Sequence, residues 1–370
     1  MATFEAPPDW TGSSPDPADV QFGDVVERAT PGDLDGYAAV LAGVPYDGAV
    51  IGREGARAAP PAIRAALADL KLHHFRRSVP GPLGDVGDVA LPAADGDEWG
   101  DVAGVQTTVA DAVARLHATD ALPVVLGGDN STTVGTVRPL LGRHGSVGVV
   151  SVDAHLDCRA VREGVGPTSG TPYRQLLAAG LDGLAVVGAR DFETAGRYDA
   201  YLRERGGRVL PAAAVGPDPR AAARRALDAV ADVDAVYVSL DVDAVDAAAA
   251  PGVSAPTPGG LSSRELFDLL AELAREADDR LAGVEVVECA PPLDEAGRTV
   301  GIAARAVAHV LAGAGGSARS ARRDDGGGGD GDRGRGTDDR YVGDGGADTI
   351  GTGDGPAGGP GGGPGGGAGG

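Results

Sequence analysis

The chain has 370 residues, of which 42% are hydrophobic and 4% aromatic, enough apolar material for one large domain or two ordinary ones. It carries 54 acidic against 32 basic residues, a formal net charge of −22, and Lys71 is its single lysine. Charge of this sign and size repels nucleic acid and anionic membranes, so neither is expected as a partner.

Residues 1–36 are rich in Pro, Asp and Gly and read as an N-terminal arm with some local structure. No basic region followed by an apolar run opens the chain, and no apolar stretch has the length of a membrane span, so a cytoplasmic protein is expected. From residue 37 short apolar runs alternate with segments of helical periodicity. Strands are predicted at 38–44, 122–126, 147–152, 184–187, 236–240 and 284–287. Helices are predicted at 61–70, 102–117, 132–141, 172–179, 219–231, 262–275 and 298–311. Near-continuous apolar strands alternating with helices imply an α/β domain, a mostly parallel sheet covered on both faces, over residues 37–313. Such sheets bind ligands beyond the carboxyl ends of their strands. Residues 314–370 are almost wholly Gly, Asp, Arg, Pro and Ala, and read as a disordered tail, because they hold too little apolar surface to offset the entropy of ordering. Cys158 and Cys289 both stand in apolar surroundings and read as small buried thiols.

The polar clusters fall at predicted strand ends. Gly127-Gly128-Asp129-Asn130-Ser131 follows 122–126; its glycines allow close backbone approach, and Asn130 either ligates through its amide oxygen or caps the next helix. Asp153-Ala154-His155-Leu156-Asp157 follows 147–152, with two carboxylates flanking an imidazole at alternate positions. Asp241-Val242-Asp243, with Asp246 beyond, ends 236–240. Carboxylates crowded at the ends of buried strands repel one another unless a cation lies between them. Oxygen and imidazole donors without thiolate suit Mn²⁺, Fe²⁺ or catalytic Zn²⁺ rather than a closed structural zinc site. Four carboxylates and a histidine suffice for two divalent ions sharing bridging ligands.

Taken together and in order, GGDNS, DAHLD and SLDVDAVD resemble the motifs of the ureohydrolase (arginase-like) family. Gly43-Val44-Pro45-Tyr46-Asp47 with Arg53, Gly55 and 60–64 resembles the family's opening motif. The APTPGGL run at 255–261 resembles its loop after the second aspartate pair, and Val286-Val287-Glu288-Cys289-Ala290-Pro291 its closing strand. The resemblance spans residues 37–312. It implies a three-layer α/β/α sandwich, two Mn²⁺ ions per subunit, a small-molecule substrate and a homo-oligomer, trimer or hexamer. Carried over residue by residue, it implies Asp153, Asp157 and Asp241 at the first ion, and Asp153, His155, Asp241 and Asp243 at the second. Glu288 matches the acid that receives the cationic end of the substrate. The family usually has His, a ligand of the first ion, where this chain has Asn130, and an amide oxygen is the weaker donor.

The loop after DAHLD narrows the substrate. Its SGTPYRQ string (169–175) resembles the formimidoylglutamase branch, and no His stands between His155 and His309 to act as the loop proton shuttle usual in arginases and agmatinases. That branch implies hydrolysis of N-formimidoyl-L-glutamate to L-glutamate and formamide, in histidine degradation, by a metal-bridged hydroxide. Asp243 or solvent would then relay a proton to the leaving amine. Arg159 and Arg174 are the candidates for the substrate carboxylates, which Arg grips bidentately. The alternatives are an agmatinase or other guanidino-acid hydrolase releasing urea, and a non-catalytic homologue for which only Asn130 speaks.

The acidity points to a halophile's cytoplasm, where salt screens self-repulsion, with a GC-rich genome, which favours Ala, Gly, Arg, Asp and Val codons, as the alternative or additional cause. The fold is therefore expected to loosen, and activity to fall, as salt is withdrawn. Equal unfolding midpoints in dilute buffer and in molar KCl would refute this.

Overall fold

The structure, a computed structural model, describes residues 3–92 and 101–315. The tail expected at 314–370 lies outside the described residues from 316 onward. The strands are β1 (Val26–Arg28), β2 (Ala39–Gly43), β3 (Leu83–Asp88), β4 (Leu122–Leu126), β5 (Val147–Val152), β6 (Gly183–Ala189), β7 (Arg208–Pro211), β8 (Ala235–Asp241) and β9 (Leu281–Val287). The helices are α1 (Ala59–Ala68), α2 (Val102–His117), α3 (Thr133–Leu141), α4 (Pro172–Ala178), α5 (Gly196–Arg203), α6 (Ala212–Val215), α7 (Pro219–Asp228), α8 (Ser263–Ala277) and α9 (Arg298–Ala314).

The strands form one sheet in the order β1-β3-β2-β4-β9-β8-β5-β6-β7, and every pairing is parallel. Helices α1, α7, α8 and α9 pack side by side on one face; α2, α3 and α4 do so on the other. This is the expected α/β/α sandwich. Each of β2, β4, β5 and β8 is buried along its whole length, which is why these strands read as unbroken apolar runs. Helix α8 carries one apolar stripe, with Leu266, Leu269, Leu270 and Leu273 nearly inaccessible, and starts at Ser262, whose hydroxyl accepts from Glu265 N (3.2 Å) while the Glu265 carboxylate accepts from Ser262 N (2.7 Å).

Three strands were not predicted. β1 is a three-residue edge with two exposed charged positions, and it draws residues 26–28 of the arm into the sheet beside β3. β3, Leu-Gly-Asp-Val-Gly-Asp, has the composition of a turn. It is a strand because β1 and β2 flank it and because its carboxylates have partners: Arg64 of α1 binds Asp85 (2.7 and 3.0 Å) and Asp88, and Trp10 Nε1 donates to Asp85 (2.9 Å). β7 is a short edge ending in Pro211. α5 is polar apart from Leu202 and two tyrosines, and α6 is a single turn, so neither shows apolar periodicity.

His117, the last residue of α2, is buried, with Nε2 beside the Thr136 carbonyl (2.9 Å). Burial lowers its pKa from 6.5 to about 4. The folded value lies below the unfolded one, so protons bind preferentially to the unfolded chain between these limits. Stability is unaffected above 6.5 and is lost as the pH falls toward 4. The loss attributable to this residue is up to roughly 3 kcal/mol. Denaturant titrations of wild type and His117→Gln across that window should show a shallower acid decline in the variant. Parallel curves would mean that the imidazole is not held neutral.

Candidate metal centre

Four neighbouring strands, β4, β9, β8 and β5, end side by side, and each delivers a polar cluster from its carboxyl end. Past β4, the backbone at Gly128 passes so close to Tyr46 that a Cβ would lie 1.7 Å from the Tyr46 carbonyl oxygen. Asp129, not Asn130, caps the following turn, accepting from Ser131 N (2.9 Å) and also from Ala49 N (2.8 Å). Asn130 is left facing the cluster: Nδ2 donates to Asp157 Oδ2 (2.7 Å), and Oδ1 accepts from Thr133 Oγ1 (2.7 Å). The amide orientation follows from this network, and a flip would bring the oxygen toward the carboxylates.

Past β5, Asp153 is fully buried and its Oδ1 accepts from His155 N (2.6 Å). His155 Nδ1 lies 2.9 Å from Asp243 Oδ2 and 3.6 Å from Asp153 Oδ1. Asp157 takes a left-handed conformation (φ 40°), and its carbonyl accepts from Tyr173 N at the head of α4 (3.2 Å). Past β8, the Asp241 carboxylate accepts from Asp243 N (2.8 Å), and Asp243 Oδ1 accepts from Ala154 N (3.1 Å), joining the two clusters. Past β9, Glu288 (φ 63°) is buried; Oε1 accepts from Asn130 N (2.8 Å) and Oε2 from the Ser254 hydroxyl.

Two triads converge so that one donor atom from each member lies within 4.8 Å of the others: Asp153, Asp157 and Asp241, and Asp153, His155 and Asp243. Asp153 belongs to both. Burial, then the charge of Asp243, raises the Asp153 pKa to about 6, and burial together with neighbouring carboxylates pushes Asp157, Asp241 and Glu288 well above the usual range. Burial opposes charge on His155, yet Asp153 and Asp243 hold its proton and carry its pKa up to about 12. A cluster that grips a proton this strongly has more acceptors than donors. A divalent cation fits that donor set of buried carboxylates and one imidazole.

Several participants gave no sequence signal. Arg190, just past β6, is buried; its backbone N–H donates to Ala154 O (3.0 Å) and its Nη2 to Val245 O (2.9 Å), so it ties the segment bearing Asp153 and His155 to the one bearing Asp241 and Asp243. Burial lowers its pKa while the charges of Asp243, Asp153, Asp246 and Asp241 oppose the shift. Glu193 brings a carboxylate to 3.8 Å from His155 Nε2. Ser254 and Thr133 orient Glu288 and Asn130. Asp246 stands outside both triads and instead organises its own loop, accepting from Gly259 N (2.7 Å) and Ala248 N (2.9 Å). Beneath the cluster, Ser151, Ser239 and Glu285 form one rung across β5, β8 and β9, with Glu285 accepting from Thr136 Oγ1 (2.7 Å). Arg159 and Arg174 do not reach the triads. Both line a cleft of about 740 Å³ whose walls include neither triad's members. Both cysteines are buried and carry free thiols.

A family model described as "Arginase family" matches residues 37–313. A formimidoylglutamase of Halobacterium salinarum is 56% identical over 313 residues, covering 84% of this chain and 99% of that protein. Among solved structures, the formimidoylglutamase of Bacillus subtilis superposes with a TM-score of 0.73 at 28% identity, covering 83% of this chain and 95% of that one. The formiminoglutamase of Trypanosoma cruzi, solved with Mn²⁺, superposes with a TM-score of 0.67 at 26% identity, covering 76% of this chain and 94% of that one.

If like-charge crowding is the main strain at this site, neutralising one member should relieve it. Metal-free Asp241→Asn is expected to melt above metal-free wild type, by roughly 2–4 °C for each kcal/mol relieved, and to gain less on adding Mn²⁺. Identical melting of the two metal-free proteins would show that the carboxylates do not strain the fold.

Proposed function

The chain belongs to the arginase family, and from that premise we propose that it hydrolyses the C–N bond of a linear amidine, converting N-formimidoyl-L-glutamate and water to L-glutamate and formamide. The observation that carries this reading is the 56% identity to a formimidoylglutamase along 99% of that protein's length. The paired triads support it, since they share Asp153 as a two-ion centre requires.

Two Mn²⁺ ions, when bound, would supply Lewis acidity and a nucleophile at neutral pH by lowering the pKa of water. Asp153, Asp157 and Asp241, with Asn130, are assigned to one ion; Asp153, His155, Asp241 and Asp243 to the other. Glu288 is assigned to the formimino cation: Asn130 N and the Ser254 hydroxyl fix its carboxylate, so little reorganisation is needed on binding. Asp243 is assigned the proton relay to the leaving amine. Its Oδ2 lies 2.9 Å from His155 Nδ1, and no loop histidine competes for the role. Arg159 and Arg174 are assigned to the two substrate carboxylates: Arg159 is two residues past Asp157, and Tyr173, next to Arg174, donates its backbone N–H to the Asp157 carbonyl (3.2 Å). Among the described residues no helix is long and apolar enough to cross a membrane. A trimer or hexamer goes with this reading, and sedimentation measures it directly.

The deciding assay gives Mn²⁺-loaded protein, in molar KCl, N-formimidoyl-L-glutamate beside agmatine, arginine and 4-guanidinobutyrate. Glutamate and formamide from the first, with no urea from the others, is the expected result. Urea from a guanidino compound would move the enzyme to the sister activity, and metal binding without any turnover would favour a non-catalytic homologue. Arg174→Ala should raise KM about tenfold or more, as loss of a charge-assisted contact does.

A further inference from the structure

The cleft holding Arg159 and Arg174 carries more positive charge than that pair. Arg162 and Arg197 also line it, against a single acid, Glu204. Arg64, Arg77, Arg224 and Arg275, outside the cleft, each have a carboxylate within ion-pair distance. Among the described residues, none of the four cleft arginines has a carboxylate within ion-pair distance, in a protein of net charge −22. For Arg174 and Arg197 a tyrosine takes that place. Arg174 Cζ sits 3.5 Å from the Tyr201 ring centroid, and Arg197 Cζ sits 4.9 Å from that of Tyr198, to whose hydroxyl oxygen Arg197 Nη2 donates (2.8 Å). A ring supports the flat face of a guanidinium and leaves in-plane N–H donors for an anion. Ile51 and Val165, both exposed, supply apolar wall in the same cleft.

We propose that Arg162 and Arg197 form, with the arginine pair already assigned, a dicarboxylate-capture site that selects anionic amidines over cationic ones. The inference rests on the formimidoylglutamate reading, and it addresses a problem which that reading creates: a dianion must approach a polyanion. Salt removes the long-range repulsion, because the Debye length is about 3 Å in molar salt. It removes long-range steering equally. Selection must then come from contact, which four arginines lacking carboxylate partners beside methylene-sized apolar walls provide. The cations would act on binding rather than on the chemical step, since neither Arg162 nor Arg197 belongs to the triads.

The test uses Arg162→Gln and Arg197→Gln, both at exposed positions where the fold does not depend on the side chain. In molar KCl each is expected to raise KM for N-formimidoyl-L-glutamate about tenfold while kcat holds. Glutarate, a dicarboxylate without the reacting group, is expected to bind wild type in calorimetry and to lose affinity by the same factor in each variant. Unchanged KM and unchanged glutarate affinity in both variants would overturn the inference, as would failure of wild type to bind glutarate. The reaction assignment fails separately: if wild type turns over no formimidoylglutamate but binds glutarate through these arginines, the dicarboxylate site stands and the substrate must be another anionic amidine.

Discussion

Five acids, Asp153, Asp157, Asp241, Asp243 and Glu288, are gathered within a few ångströms of the ends of β5, β8 and β9, nearly all of them out of solvent. Like charges at low dielectric repel strongly, so the rest of this structure can be read as what makes the crowding tolerable. The sheet order places β4, β9, β8 and β5 as immediate neighbours, so that backbone N–H groups of one segment reach the carboxylates of another: Ala154 to Asp243, Asn130 to Glu288. Arg190 ties two of the segments together, its backbone N–H bonding the Ala154 carbonyl and its guanidinium the Val245 carbonyl. What these contacts do not neutralise is left for a cation, which is the role the triads offer.

The central strands and the clusters at their ends were legible in the sequence because both rest on local pattern. VGVVSV and AVYVSLD are apolar but for one serine each and stop abruptly at aspartate. Strands held by their neighbours were not legible: β3 shows only Gly, Asp and two apolar residues until Arg64 and β1 are brought to it. The same division runs through the site. Every ligand expected from the DxHxD and DVD strings falls in one of the two triads. Arg190, Ser254 and Glu193 come from other segments of the chain, and no spacing rule connects them to the ligands. The Ser151–Ser239–Glu285 rung was hidden for a further reason: its members are single polar letters within apolar runs, and only the register shows that they line up.

Charge is distributed on two scales that work against each other. Over the whole surface the excess of carboxylates suits a salt-rich solvent and repels any anion. Within the cleft lined by Arg159, Arg162, Arg174 and Arg197 the sign reverses, and Arg174 and Arg197 rest on tyrosine rather than on aspartate or glutamate. The choice of support matters. An arginine paired with a carboxylate has its fork occupied, as Arg64 has with Asp85, whereas one lying on an aromatic face keeps it. A strongly acidic surface and an anionic substrate are compatible only where local contacts override the mean field.

Asn130 shows how one substitution can serve both charge states of such a centre. As drawn by its hydrogen bonds, it gives an N–H to Asp157 and takes a hydroxyl proton from Thr133. An amide presents a donor and an acceptor on one planar group, and the Thr133 hydroxyl can either donate or accept. Turned one way, the side chain solvates a carboxylate that lacks a cation; turned the other, it offers oxygen to a cation while Thr133 accepts from its nitrogen. A neutral imidazole at the same place has one donor nitrogen and one acceptor nitrogen on opposite parts of a ring, and it cannot exchange them without changing tautomer or rotating in a packed site. The amide therefore gives up some ligand strength and keeps a hydrogen-bond partner for Asp157 when no cation is bound. That exchange favours a protein whose stability already depends on holding so many carboxylates together.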